Sequence, residues 1–197
     1  MYLNLSETFI NEALPLGIML DKNEFNRIRS EMHKLDVKRE EIIQTSREVI
    51  NISKQIIYAA QRNDLSEADS AIKKINIAID ANINSVAFQE YVEAIAFYEF
   101  VKNKKIPTRA SLGVSAEEYL MGLCDLTGEL VRKAVYDVIH KKFDEAARIK
   151  ELVHDIYGEF LKLHLRNGEL RKKSDSIKWN LKKLEEVMYD ISMKGRA

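Results

Sequence analysis

The stretch EYLMGLCDLTGELVRKAV, residues 118–135, decides the fold that we expect of this chain. Its apolar residues recur at helical spacing, and Asp125 and Glu129 are the only charges between Tyr119 and Val131. Acids four positions apart lie on the same face of a helix, where they repel each other. Burial of such a pair is costly unless a cation or protons compensate the charge. The stretch therefore predicts a helix with two acids that need a partner or a function.

A second helical stretch, FQEYVEAIAF at residues 88–97, carries Glu90 and Glu93 three positions apart. If the two helices meet, the four acids form an oxygen-rich site of the kind that holds Mg²⁺ or Mn²⁺. The alternative is that the acids face water as ordinary surface charges. Gly122 and Gly128 favour the first interpretation, since glycine inside a helix often marks the close approach of another backbone or a ligand.

Composition limits the class of protein. Apolar residues make up 46% of the 197-residue chain and charged residues 31%, which is typical of a soluble globular protein. The formal net charge is zero, so composition alone does not indicate nucleic-acid binding. No run is long enough to span a membrane, and the N-terminal sequence lacks the features of a signal peptide. With one cysteine, Cys124, which we expect in the core, these features predict a cytoplasmic protein.

Helical periodicity dominates the rest of the chain, and only two prolines and seven glycines interrupt it. We predict an all-α fold, a single bundle of six to seven antiparallel helices in one domain covering residues 1–197. The predicted helices cover residues 23–62, 64–84, 85–104, 115–140, 141–165 and 169–193, preceded by a shorter apolar piece at 9–20. The first helix is the long one, and residues 103–113 form the clearest loop.

Two other motifs carry weaker signals. Glu151 and His154 have the spacing of a ferritin-like carboxylate site, but such a site needs a second Glu-x-x-His pair, which the other histidines do not supply. In the basic segment 164–183, Trp179 could stack on a base beside Arg171, Lys172, Lys178 and Lys182. The simpler interpretation is a solvated helix face with Trp179 in the core or at a subunit contact.

The motifs taken together resemble the translin family. EYLMGLCDLTGELVRKAV matches a hallmark of that family, and GELRKKSDSIKWNLKKLEEVMYDISMKGRA at 168–197 resembles its closing helix. REEIIQTSREVINISKQIIYAAQR at 39–62 and FQEYVEAIAFYEF at 88–100 are similar to the branch of translin-associated factor X. The resemblance covers residues from about 6 to 196, and the motifs occur in the expected order.

The factor X branch implies an acidic, magnesium-dependent endoribonuclease site. By position, its catalytic and metal-binding acids correspond to Glu90, Glu93, Asp125 and Glu129, with Mg²⁺ as the cofactor or Mn²⁺ in its stead. The basic stretches of translin proper are largely missing from the second and third helices. The candidate nucleic-acid contacts are Arg47, Lys54, Lys73, Lys74 and Arg132.

The resemblance implies hydrolysis of single-stranded or small RNA inside a closed homo-oligomeric shell of about eight subunits. Single-stranded DNA is a second nucleic-acid partner to consider, and a separate translin-like protein is a second protein partner. The main alternative is a non-catalytic translin-like protein that binds single-stranded RNA or DNA. A purely structural helical assembly is a third interpretation, which predicts no salt-dependent nucleic-acid binding.

Overall fold

The computed structural model describes residues 20–79 and 82–194. Within these ranges the chain forms seven α-helices and no β-strand, which confirms the predicted all-α helical bundle and its long first helix. The helices are α1 (Lys22–Gln61), α2 (Leu65–Ala78), α3 (Ser85–Asn103), α4 (Arg109–Leu112), α5 (Ala116–Ile139), α6 (Phe143–Leu161) and α7 (Glu169–Lys194).

Side-chain caps explain where several helices begin. Asp64 accepts a hydrogen bond from the Glu67 amide at the start of α2. Ser115 and Glu118 form a reciprocal capping box at the start of α5. The predicted loop at 103–113 contains the single-turn helix α4, which starts at a Thr108 cap and which the periodicity of so short a segment could not reveal.

The chain divides into two compact units, Met1–Arg39 and Glu40–Ala197. In the first unit, the described part of α1 exposes apolar side chains such as Phe25, Ile28 and Met32. The second unit contains the remainder of α1 and helices α2 to α7. That residues 1–197 form a single domain stays a prediction, and most of the apolar piece predicted at 9–20 lies outside the described residues.

In the second unit, α5 is the central helix because it packs against α3, α6 and α7. Leu126 and Leu130 of α5 are fully buried, as are Val92 and Phe97 of α3. The two helices α3 and α5 approach closely at Gly122, where an added Cβ would lie 2.6 Å from Cβ of Val92. The helical glycine therefore marks a close approach of two helices, and this contact brings both acidic stretches to one place.

A search of the described helices for one long and apolar enough to cross a membrane finds none.

Candidate functional site

The predicted acids come from the two helices that pack most closely. Glu90 and Glu93 lie on α3, and Asp125 and Glu129 lie on α5, all of them half-buried. Glu90, Glu93 and Glu129 line one open cleft of about 430 Å³. Two predicted basic residues share that cleft, and an isoleucine and a tyrosine of α1 complete its lining: Lys54, Arg132, Ile57 and Tyr58.

Burial and neighbouring carboxylates disfavour the ionised form of two acids in this cluster, Glu90 and Glu93. Burial raises the pKa of Glu93 to about 8, and the carboxylates of Asp125, Glu90 and Glu129 act in the same direction. Burial also raises the pKa of Glu90, against the opposing charge of Lys54. All four acids therefore interact as one group, in which adding a cation relieves mutual repulsion.

Asp125 is held by a cation from a third helix. The Lys173 ammonium of α7 forms an ion pair with Asp125 Oδ2 and donates a second hydrogen bond, of 3.1 Å, to Gln89 Oε1 on α3. Asp125 does not line the cleft formed by the three glutamates. In this arrangement Lys173 supplies part of the positive charge that the acidic cluster needs.

Glu129 is fixed by a residue at the end of α1. The Gln61 side-chain amide donates to Glu129 Oε2 at 2.8 Å and to the Glu129 carbonyl at 2.9 Å. Gln61 is only 5% exposed, so this contact is sheltered from water. Arg132 lies one turn further along α5, with Nη1 3.5 Å from the same carboxylate oxygen.

Sequence reasoning missed Gln61, Gln89 and Lys173 as parts of the site. Gln61 and Gln89 are neutral amides without a charge pattern, although both lie within stretches quoted for the family resemblance. Lys173 is one of several lysines and arginines in the first turns of α7, and nothing in its spacing distinguishes it from the exposed ones. Only the packing of α7 against α5 identifies it.

The four carboxylates supply the type of ligand that binds a hard divalent cation. Carboxylate oxygens are the ligands that Mg²⁺ and Mn²⁺ take in proteins, and burial together with three neighbouring carboxylates raises the pKa of Glu93. The side chains are not gathered into one coordination shell, since in the described part of the chain no three His, Cys, Asp or Glu groups are arranged to hold a metal. Asp125 and Glu129 are instead engaged by Lys173 and Gln61.

The other predicted nucleic-acid contacts lie away from this cleft. Arg47 is exposed on α1, and Lys73 and Lys74 lie on α2. None of the three lines the cleft of the acidic cluster. Of the five basic candidates, the structure brings only Lys54 and Arg132 to the acids.

Burial also decides the interpretation of four further residues singled out in the sequence. Cys124 is 1% exposed, as predicted for a core residue, and burial raises the pKa of its thiol to about 12. His154 and Glu151 are both exposed, so they do not form a ferritin-like site in the bundle core. Trp179 is 64% exposed, so the interpretation that places it in the core is wrong.

Comparison with known proteins identifies the family. The sequence profile described as Translin family matches residues 81–195, more than half of the chain. The chain belongs to the translin family. Translin of Gallus gallus is 32% identical over 121 residues, which cover 54% of this chain and 53% of that protein. This chain thus spans about half the length of the curated translins that it matches.

Two other family relatives cover more of the chain. An uncharacterised protein of Methanocaldococcus jannaschii is 29% identical over 73% of this chain and 70% of its own length. Translin-associated protein X of Mus musculus is 23% identical over 87% of this chain and 78% of its own length. The predicted membership of the translin family is confirmed, and a protein of the factor X branch is among the relatives that cover most of the chain.

Solved structures of the same fold extend the comparison. The crystal structure of apo-NeC3PO matches with a TM-score of 0.79 and 30% identity, covering 88% of this chain and 98% of that one. A complex of AfC3PO with duplex RNA matches with a TM-score of 0.75 and 23% identity, covering 87% of this chain and 97% of that one. The second likeness shows the fold alone.

Proposed function

We propose that this translin-family chain is a metal-dependent endoribonuclease that hydrolyses phosphodiester bonds of single-stranded or small RNA. One observation carries the proposal: Glu90, Glu93 and Glu129 line an open cleft with Lys54 and Arg132, and Asp125 interacts electrostatically with them. A carboxylate cluster beside two cations suits a phosphodiester, whose reaction requires both metal ligands and groups that bind phosphate.

Glu90, Glu93, Asp125 and Glu129 would hold the divalent ion, Mg²⁺ or Mn²⁺. When bound, such an ion neutralises the scissile phosphate and lowers the pKa of a coordinated water. Asp125 would exchange the Lys173 ammonium for the ion, which frees Lys173 to contact phosphate. Gln61 would keep the Glu129 carboxylate oriented through the reaction, because Gln61 is itself buried and donates hydrogen bonds to both the carboxylate and the carbonyl of Glu129.

Lys54 and Arg132 are the residues best positioned to contact the RNA backbone. The Arg132 side chain is 60% exposed, and its single ion pair with Glu129 is long at 3.5 Å, so the guanidinium can turn toward a phosphate. Contacts of this kind predict binding that weakens as salt rises. The single-stranded form remains the proposed substrate, and duplex RNA is a comparison to include because AfC3PO is known in complex with it.

We also propose that the chain works as a homo-oligomer, or with a translin-like partner, in a closed assembly. Exposed apolar side chains on several helices supply surface that subunit contacts could bury: Val86, Ile139, Leu161 and Trp179. Enclosure of the clefts would restrict the substrates to RNA that can enter the assembly.

The test is cleavage of a labelled single-stranded RNA by purified protein in Mg²⁺, in Mn²⁺ and in EDTA. Glu129→Ala is the site variant, and Glu117→Ala is the matched control because Glu117 is exposed in the first turn of the same helix. The proposal predicts metal-dependent cleavage that Glu129→Ala loses and Glu117→Ala retains. Cleavage that persists in EDTA, or equally in Glu129→Ala, would contradict it.

A second candidate function is binding of single-stranded RNA or DNA without turnover. The engagement of Asp125 by Lys173 and of Glu129 by Gln61 favours it, since both contacts satisfy carboxylates without a metal. This alternative predicts RNA binding that falls with salt and no cleavage in any metal.

A further inference from the structure

A second cavity, of about 580 Å³, lies at the end of the bundle where three helices terminate. Asn63 lines it from the turn after α1, Lys104 from the end of α3, and Lys141 from the end of α5. The first turns of α6 complete the wall. The volume falls within the range of small-molecule sites, and none of the residues proposed for the metal site lines this cavity.

The lining carries more positive than negative charge. Its basic residues are Lys104, Lys133, Lys141, Lys142 and Arg148, against the acids Asp137, Asp144 and Glu145. Glu145 accepts hydrogen bonds from Lys104 at 2.6 Å and from Arg148 at 2.9 Å, so this one carboxylate pairs with two cations. For Lys141 and Lys142, no side-chain hydrogen bond or ion pair occurs with any residue that the structure describes. The cavity therefore contains lysines that can bind an anion.

Lys133 gives the cavity a buried cation. It is 4% exposed, and its Nζ donates to Asp137 Oδ1 at 2.8 Å and to Asn63 Oδ1 at 3.1 Å. An ammonium has three donors, so one remains for a ligand. Asp137 is itself 2% exposed and uses only one of its two oxygens in this pair. The pair thus offers a donor for an oxyanion and an acceptor for a hydroxyl.

The presence of lysines at helix C-termini accounts for some of the basic residues in this cavity but not for all of them. Asn63, Lys104 and Lys141 have φ values of 61°, 55° and 60°, the left-handed conformation that closes a helix, and cations are favourable at helix C-termini. Lys142 is different, because it is the N-cap of the 19-residue helix α6 and makes no side-chain capping bond. A cation at a helix N-terminus opposes the helix dipole, whereas an anion bound there is stabilised.

We propose that this cavity binds the phosphate group of a ligand of about mononucleotide size, with Asp137 accepting a hydrogen bond from a ligand hydroxyl. Lys133, Lys141 and Lys142 would contact the phosphate. The ligand is either a free mononucleotide or the 5′-phosphorylated end of an RNA. Lys133 lies one turn beyond Glu129 on the same face of α5, so the cavity neighbours the acidic cluster, but its occupancy does not depend on cleavage.

The experiment is calorimetric titration of the full chain with AMP, adenosine and inorganic phosphate in EDTA. Lys142→Glu is the test variant because Lys142 is exposed, so the fold is retained. Lys105→Glu is the control, since Lys105 is also exposed and adjoins Lys104 but does not line the cavity. We expect AMP to bind at least about tenfold more tightly than adenosine, and Lys142→Glu to weaken AMP about tenfold, as loss of a charge-assisted hydrogen bond does.

Competition distinguishes the two sources of the phosphate. Displacement of AMP by a 5′-phosphorylated oligoribonucleotide, but not by its 5′-hydroxyl form, assigns the cavity to an RNA end. Failure of both oligonucleotides to displace AMP assigns it to a free nucleotide. Three results would overturn the proposal: equal binding of AMP and adenosine, equal loss of AMP binding in Lys105→Glu, or displacement by both oligonucleotides alike.

Discussion

Lys173 on α7 forms an ion pair with Asp125 on α5, and the same ammonium donates a hydrogen bond to Gln89 on α3. One side chain therefore connects three helices at the acidic cluster. Its charge also lowers the pKa of Glu93, against the larger effect of burial. We interpret Lys173 as the counter-ion that makes this cluster tolerable in the absence of a divalent metal.

Replacement of Lys173 by an uncharged residue should therefore destabilise the metal-free protein and strengthen its binding of a divalent metal. In EDTA, Lys173→Met is expected to lower the free energy of unfolding by about 1 kcal/mol, because the carboxylates lose a partly buried cation. Mn²⁺ should bind the variant several-fold more tightly, since no ammonium competes for Asp125. The measurements are chemical denaturation and Mn²⁺ titration.

Lys172→Met is the control for that variant, because Lys172 pairs with Glu169 on the surface. It should change neither quantity appreciably. Equal effects of the two substitutions would show that Lys173 has no special relation to the cluster.

Glu93 should make stability depend on pH. Its pKa is about 8 in the folded protein and 4.5 ordinarily, so the folded state holds more protons between these values. The stabilisation from the protonated carboxyl is complete below about pH 4.5 and is lost as pH rises through about 8. In EDTA, the melting temperature of Glu93→Gln should thus match that of the wild type at pH 4.5 and exceed it increasingly up to about pH 8, above which the difference levels off.

Thermal melts of both proteins across that range measure the effect. Added Mg²⁺ should stabilise the wild type more at high than at low pH, because protons compete with the metal for Glu93. A constant difference between the two proteins at every pH would contradict the assigned burial of this carboxyl.

Gly122 should tolerate no larger residue. A Cβ at this position would lie 2.6 Å from Val92 Cβ and 2.8 Å from the Gln89 carbonyl oxygen, so Gly122→Ala must push α3 away from α5. We expect a loss of about 1–3 kcal/mol in the free energy of unfolding and weaker RNA cleavage, since each helix carries two of the acids. Chemical denaturation and the cleavage assay measure the two effects.

Gly128 supplies the matched control on the same helix. A Cβ there meets nothing nearer than Asn180 Nδ2 at 3.9 Å. Gly128→Ala should therefore raise stability by up to about 1 kcal/mol through helix propensity. If Gly122→Ala and Gly128→Ala change the free energy of unfolding in the same direction, the close approach of α3 at Gly122 is not what limits this position.

Gln61 should act as a positioning residue for Glu129. Gln61→Met removes both hydrogen bonds to Glu129 and should cost about 1–2 kcal/mol of stability, because the carboxylate loses a sheltered donor. It should also reduce cleavage at a fixed metal concentration, with partial recovery at higher metal. Gln55→Met, at an exposed position of α1, is the control. Cleavage that does not recover with metal would argue against a positioning role.

The fold was predictable from the sequence because helical periodicity is sustained and breakers are few. The predicted start of α5 depends on Ser115 and Glu118, a local capping signal that the structure confirms. The start of α6 at Phe143, two residues beyond the prediction, follows from the left-handed conformation of Lys141, which periodicity does not indicate.

The candidate site was only partly predictable. Spacing on α3 and α5 was enough to select Glu90, Glu93, Asp125 and Glu129, because acids in apolar helices stand out. Contacts between distant segments were not accessible in this way, since Gln61 and Glu129 are 68 positions apart and Lys173 and Asp125 are 48 apart. Neutral amides and one lysine among many carry no periodic signal.

The claim that these acids form a divalent-metal site is tested most directly by Mn²⁺ binding, followed by electron paramagnetic resonance of the free ion. The proteins to compare are the wild type, Glu93→Gln and the control Glu99→Gln, whose carboxylate lies elsewhere on α3 and bonds to Asn103. We predict a saturable site in the wild type and in Glu99→Gln that is weakened at least about tenfold in Glu93→Gln. Identical Mn²⁺ isotherms for all the proteins would contradict the account.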